Sequence, residues 1–267
     1  MTDFSTLWGR LLTQELGSDD STQLFTDARR KAGINDGVRE FADLTECCVK
    51  TGIITLGSTQ YEWDLNSTGF SSTPDFVRLA AKQSVEVIYT DASSNVQSVS
   101  GDDLRQVDQT WLHRYEPGWR PDTVDLVSSG GLVLPSKFYL AADGAEQLIG
   151  FVPVPSTGSS GTMYAWVPYV PFLNALSAST DVPFRMDGAS RLDLRPFHQA
   201  AVHYAAHQLE KLRRDDAASD RQLQKFLGYV TRYVQSTRQK GGTALTFARQ
   251  YFRRSLSGGT TAQDPRT

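Results

Sequence analysis

Three of the chain's four histidines, His198, His203 and His207, fall within ten positions of one another in RPFHQAAVHYAAHQLEKLRR, residues 195 to 214. Imidazoles four residues apart share one face of a helix, and His203, His207 and Glu210 could then hold a zinc ion through two ring nitrogens and a carboxylate. The spacing is weakly specific: it lacks the internal glutamate of HExxH, and no fourth ligand is evident. At about 100° per residue, Val202, Ala205, Leu209 and Leu212 form an apolar stripe with Ala201 beside it. His198 lies close to that stripe, which predicts a hydrogen-bonded histidine at the core edge. His203 and His207, with Glu210 and Arg214, fall on roughly the opposite side, which predicts a solvated or subunit-contacting face. The cluster is therefore not one constellation, and a metal-dependent enzyme built on His203, His207 and Glu210 is the lesser reading.

Other chemical grammars are missing from the sequence. There is no GxSxG, no GxxxxGK[ST], no GxGxxG after a strand, and no serine in a convincing histidine context. Cys47 and Cys48 are sequence neighbours, so a mutual disulfide would be strained and would close no useful loop; they read as free, buried thiols in a reducing compartment. No zinc-finger, RNP or basic-zipper pattern marks a nucleic-acid reader. A carbohydrate-binding β module would need exposed tryptophans, with Trp111, Trp119 and Trp166 as the candidates. The expectation is a non-enzymatic protein with no cofactor and no metal.

The elements that position these residues change character along the chain. FSTLWGRLLTQEL places Phe4, Leu7, Trp8, Leu11 and Leu12 at helical spacing, with Ser5 or Thr6 as the cap. STQLFTDARRKAGINDGVREFADLTECC follows as a longer helix with Leu24, Ala28, Ile34, Val38, Phe41 and Cys48 on one stripe, where Gly33 and Gly37 weaken it or admit a close neighbour. From about residue 52, β-branched and aromatic runs take over. Ile53 to Leu56 and Tyr61 to Leu65 read as a hairpin about Gly57-Ser58, and SVEVIYTDASSNVQSVS, KFYLAADGAEQLIGFVPVP and GTMYAWVPYVPFL repeat that pattern. Pro153, Pro155, Pro168 and Pro171 predict edge strands or strand ends, since each removes a ladder donor. Helices return after Arg195, with Pro196 in a first turn. A break at DDAASD precedes a capping-box pair, Ser219 and Gln222, and the stripe Leu223, Phe226, Leu227, Val230, Tyr233, Val234 runs to about Lys240 before Gly241-Gly242.

This order predicts an α+β fold: an antiparallel helical bundle with a long β-strand insertion between its second and third helices and an extended C-terminal tail. The expected segments are 1–51 and 191–240 for the bundle, 52–190 for the β region and 241–267 for the tail. At 267 residues, 39% hydrophobic and 21% charged, the chain can bury a substantial core without staples. Its net charge of −3 is unevenly spread: residues 1–48 carry −4, residues 49–190 carry −7 and residues 191–267 carry +8. A basic end on an acidic body is suited to an acidic partner while the body does not hold phosphate tightly. In the tail, Leu245, Phe247, Tyr251 and Phe252 stand beside Arg249, Arg253 and Arg254, the residue types that anchor protein interfaces. No run approaches the roughly 18 apolar residues of a membrane span, and the N-terminus lacks a basic region followed by an apolar run, so synthesis in the cytosol is expected.

Several stretches carry a family resemblance. ARRKAGINDGVREFADLT, TGIITLGSTQYEWDL, PDFVRL, YEPGWRP, KFYLAADGAEQLIGFVPVPS, YVPFL and LRPFHQAAVHYAAHQLEKL, in this order, make the chain resemble the head-to-tail adaptor (connector) proteins of tailed bacteriophages. The resemblance implies a helical bundle with inserted β structure, assembled as a ring, usually dodecameric, beneath the portal. Such a ring extends the DNA channel in the virion neck after assembly in the host cytoplasm. The implied partners are the portal protein, a tail, nozzle or stopper protein, further copies of the chain, and genomic double-stranded DNA passing without sequence specificity. The implied portal-binding residues are Leu245, Phe247, Arg249, Tyr251, Phe252, Arg253 and Arg254. A stopper or tail-tube-proximal component is the alternative within the same class.

Overall fold

The computed structural model describes residues 3–16, 25–57, 60–67, 70, 75–81, 83–90, 96–99, 104–116, 118–119, 132–143, 146–157, 161–186, 189–190 and 192–238. The expected docking tail from Leu245 to Arg254 lies outside them, as do Leu24, Ser58 and the Gly241-Gly242 stop. In chain order the elements are helix α1 (Phe4–Arg10), a π-type turn (Leu11–Glu15), helix α2 (Asp27–Thr45), and strands β1 (Lys50–Leu56), β2 (Glu62–Asp64), β3 (Phe76–Leu79), β4 (Glu86–Thr90), β5 (Val96–Val99) and β6 (Arg105–Gln106). A short helix α3 (Gln109–Tyr115) precedes β7 (Leu132–Val133), β8 (Lys137–Asp143), β9 (Glu146–Val152), β10 (Ser156–Thr157) and β11 (Thr162–Pro171). The chain ends its described course in a ribbon of β12 (Arg185–Met186) and β13 (Ala189–Ser190), a 3-10 turn (Leu192–Phe197), and helices α4 (His198–Leu212) and α5 (Asp216–Arg238). Two compact units result: Met1–Cys48 with Leu173–Thr267, and Val49–Phe172.

In the helical unit, Asp3 rather than Ser5 or Thr6 caps α1. Its Oδ1 accepts from the Thr6 hydroxyl at 2.6 Å, the Thr6 amide at 2.8 Å and the Ser5 hydroxyl at 2.8 Å, which holds its carboxyl down at about 2. Thr26 caps α2 by accepting from the Arg29 amide. The buried face of α2 includes Ile34, Val38, Phe41 and Ala42, while Ala28, assigned to the same stripe from spacing, is exposed. Gly33 and Gly37 are the close-approach positions. A Cβ on Gly37 would lie 2.6 Å from the Ala201 carbonyl oxygen, and one on Gly33 would lie 3.1 Å from Ala205 Cβ, so α4 packs directly against the α2 backbone. Phe41 then sits at a junction of rings, with Phe184, Phe197, Phe226 and Tyr233 at centroid distances of 5.4 to 6.3 Å.

Residues 173–190 belong with these helices and not with the strands. The Asn35 carboxamide donates to the Leu176 carbonyl at 3.1 Å and accepts from the Leu176 amide at 2.7 Å, pairing with it as a strand neighbour would. Arg39 Nε donates to the Leu173 carbonyl, and Phe184 is buried in the helical core. The β insertion therefore ends at Phe172 instead of residue 190.

The β unit contains two main sheets that share one core. The first has the order β1-β11-β4-β5, with β3 also paired to β11; the second has the order β2-β9-β8-β6. Ile54, Leu56, Val87, Met163, Val167 and Tyr169 from the first meet Trp63, Phe138, Ile149 and Phe151 from the second. The hairpin expected across Gly57-Ser58 is not formed: β1 pairs with β11 and β2 with β9. Both strands bury alternate apolar side chains in the shared core, so the linking residues pass between sheets. β4 with β5 and β8 with β9 are antiparallel pairs adjacent in sequence, as the strand patterns predict.

Pro168 departs from the edge-strand expectation, because β11 is the centre of its sheet. The Pro168 carbonyl accepts from the Ala80 amide, and N and O of one strand residue point the same way. Its missing donor thus faces the side where β11 changes partner, from β4 at Trp166 to β3 at Tyr169, and leaves no ladder bond broken. A smaller cluster of Val107, Leu112, Trp119, Tyr139 and Val152 gathers beside α3.

Candidate functional site

The histidine segment forms α4, and α4 is buried on most of its circumference: His198, Ala201, Val202, His203, Ala205, Leu209 and Glu210 are all inaccessible. The expected stripe ends early, since Leu212 is 58% exposed. The face assigned to solvent is instead covered. Its physical cause is α5, which follows after a three-residue connection, Arg213 to Asp215, and presents its own polar residues to α4. Asp215 caps α5, its Oδ1 accepting from the Ala218 amide at 2.9 Å. Ser219 and Gln222, read from the sequence as a capping box, lie inside the helix and face the histidines.

His203 Nδ1 lies 2.9 Å from Gln222 Oε1. A carboxamide oxygen only accepts, so Nδ1 carries the proton. Gln222 Nε2 in turn donates to Glu15 Oε2 at 3.0 Å, and Lys225 Nζ donates to the same oxygen at 3.1 Å. His203 Nδ1 is 3.6 Å from that oxygen, and the Tyr229 ring stacks on the imidazole at 5.6 Å. Burial, partly offset by the Gln222 bond and the Glu15 charge, holds the His203 pKa below its ordinary 6.5. For Glu15, burial raises the pKa, but the bonds from Gln222 and Lys225 and the His203 charge outweigh it, and the carboxyl sits below its ordinary 4.5. The result is a neutral imidazole beside a carboxylate neutralised by lysine, tying the π-type turn to α4 and α5.

His207 is engaged elsewhere. Its Nδ1 is 2.8 Å from Ser219 Oγ and 3.1 Å from the Ser219 carbonyl oxygen, while Ser219 Oγ donates to the His207 carbonyl at 3.1 Å. A protonated Nδ1 satisfies all three contacts, which leaves this nitrogen a donor and not a base toward the serine. Ser219 is also buried, so the pair has neither the proton direction nor the access that a nucleophile needs. Glu210 points to Arg213, 3.5 Å away, and burial raises its pKa. His198 is buried with its ring 5.8 Å from Phe184.

His203, His207 and Glu210 thus go to three separate partner sets, and among the described residues no three His, Cys, Asp or Glu side chains converge on a point. The polar side chains that could have done chemistry act between helices. Glu15 is the member sequence reasoning missed; it is nearly 190 residues from His203, and no local signal connects them. Of the tryptophans, Trp119 is buried against Tyr139 at 4.8 Å, Trp111 is half-buried and Trp166 is exposed. Cys47 and Cys48 are buried free thiols with sulfurs 3.8 Å apart. No described helix is long and apolar enough to cross a membrane.

The family model described as SU10 adaptor protein matches residues 2–248. The chain belongs to the SU10 adaptor family. The match spans the helical unit and the β unit and reaches into the terminal segment as far as Thr246, Phe247 and Ala248. No curated protein matches the chain. Membership makes it a phage head-to-tail adaptor, a structural component of the virion. For an SU10 adaptor, polar networks that hold helices together accord with a role in which shape and contact matter more than turnover.

Proposed function

We propose that copies of this chain form a closed ring, of twelve in the usual arrangement for such adaptors, beneath the phage portal. The ring extends the DNA channel and receives the next tail, nozzle or stopper protein. Its hold on the portal comes from the terminal segment, through Leu245, Phe247, Tyr251 and Phe252 as apolar anchors and Arg249, Arg253 and Arg254 as charged ones. The observation that carries this reading is the family match over residues 2–248. Charge supports it: the residues up to 190 sum to −11, so duplex DNA passing them is not gripped by counterion release, while the +8 of the remainder is available to an acidic protein surface. A ring closes by heterologous contacts, with one patch on each subunit meeting a different patch on its neighbour.

The test is to mix purified portal with either the full chain or a chain cut after Lys240 and to image the products by electron microscopy. Full-length protein is expected to seat as a ring on the portal, and the shortened protein to stay free. Rings of the shortened protein bound as firmly as those of the full chain would overturn the docking role of the terminal segment.

A further inference from the structure

The second sheet of the β unit ends at β6, an edge strand paired on one side only, in parallel with β8. The Arg105 amide donates to the Ser136 carbonyl and the Val107 amide to the Phe138 carbonyl, both at 2.9 Å. Successive strand residues direct their main-chain groups to alternate sides, so the N–H and C=O of Gln106 point away from β8 at the open edge. Beside them lies a groove of about 360 Å³ lined by Arg105, Gln106, Val107, Asp108 and Trp111. Trp111 is flanked by two cations, Arg105 Cζ and Lys137 Nζ, each 5.8 Å from its ring, and by Tyr115 at 5.3 Å, itself 60% exposed. Lys137 is paired with Glu116 at 2.7 Å, and the Asp108 carboxylate caps α3 by accepting from the Trp111 amide. Arg105 makes no ion pair among the described residues.

We propose that this edge is a docking site for an extended acidic segment of another protein. The segment adds to β6 through main-chain bonds to Gln106, sets a carboxylate on Arg105 and lays an apolar side chain against Trp111 and Tyr115. The main-chain donor and acceptor of Gln106 match a peptide edge and have no counterpart in a phosphate backbone. Charge points the same way: Arg105 is an isolated free cation in a unit with 7 basic and 13 acidic residues, where a nucleic acid would require several. An uncovered edge strand is also a surface that proteins otherwise protect.

The experiment uses the full chain, isotope-labelled for NMR, titrated to about millimolar with a short blocked peptide alternating glutamate and valine, and separately with oligothymidylate. The peptide is expected to shift the Gln106 amide. Gln106→Pro, which removes the outward N–H without touching the β8 ladder, and R105E are each expected to weaken binding about tenfold, the worth of one good hydrogen bond or charge contact. Gln106→Ala, which keeps the main chain, is expected to bind as the parent does, and thermal denaturation checks that each variant folds. An unmoved Gln106 amide, or peptide binding undiminished in both R105E and Gln106→Pro, overturns the proposal. Oligothymidylate binding more tightly than the peptide at the same residues overturns it in favour of a nucleic-acid groove.

Discussion

At the scale of single residues, the helical unit depends on groups with no slack around them. Gly37 is the clearest, because the atoms its Cβ would strike belong to the backbone of Ala201 and have no rotamer into which to escape. Gly37→Ala is expected to cost about 3 kcal/mol in overpacking against the roughly 1 kcal/mol alanine returns inside a helix, a net loss readable by chemical denaturation. His203 makes a second prediction. Its folded pKa lies below the unfolded value of 6.5, so the unfolded chain binds the proton more readily. The neutral imidazole's contribution is complete above 6.5 and is lost as pH falls from 6.5 toward the folded value. Glu15, with its lowered pKa, adds a loss of the same sign below 4.5. His203→Gln keeps a donor for Gln222 but cannot titrate, so its stability should fall less between pH 6.5 and 5 than that of the parent. Equal slopes in denaturation midpoints across that range would show that His203 does not carry the effect.

Among the elements, those with strong local periodicity were legible in the sequence and those defined by a distant partner were not. The Leu223 to Val234 stripe of α5 and the β4-β5 and β8-β9 pairs follow from residue order alone, because their partners are adjacent in sequence. β1 and β2 misled for the opposite reason: each alternates correctly, yet β1 finds its partner more than a hundred residues away in β11. The polar face of α4 misled likewise, since angular placement tells which residues share a side and not what covers it. Asn35 shows what such long-range bonds contribute, holding the Leu176 backbone to α2 with two hydrogen bonds. Asn35→Ala leaves that amide and carbonyl without their partner and is expected to cost about 2 kcal/mol. Hydrogen exchange at Leu176 should accelerate correspondingly, while unchanged exchange would mean another group protects that strand-like segment.

For the whole molecule, the uneven charge and the order of elements carried the most information. The change from helical to strand grammar near residue 50 marks the start of the inserted unit, whereas its end at Phe172 was hidden, because residues 173–190 read as extended chain but are fastened to α2 by Asn35, Arg39 and Phe184. The histidine cluster, the most conspicuous feature of the sequence, is part of the helix-to-helix fastening; the segment proposed to meet the portal is marked by composition alone. The measurement that bears most directly on the adaptor reading is cryo-electron microscopy of the virion vertex. The account predicts a ring of this chain between portal and tail, with residues 245–254 lying on the portal surface. Virions with no copy of the chain at that vertex would contradict it.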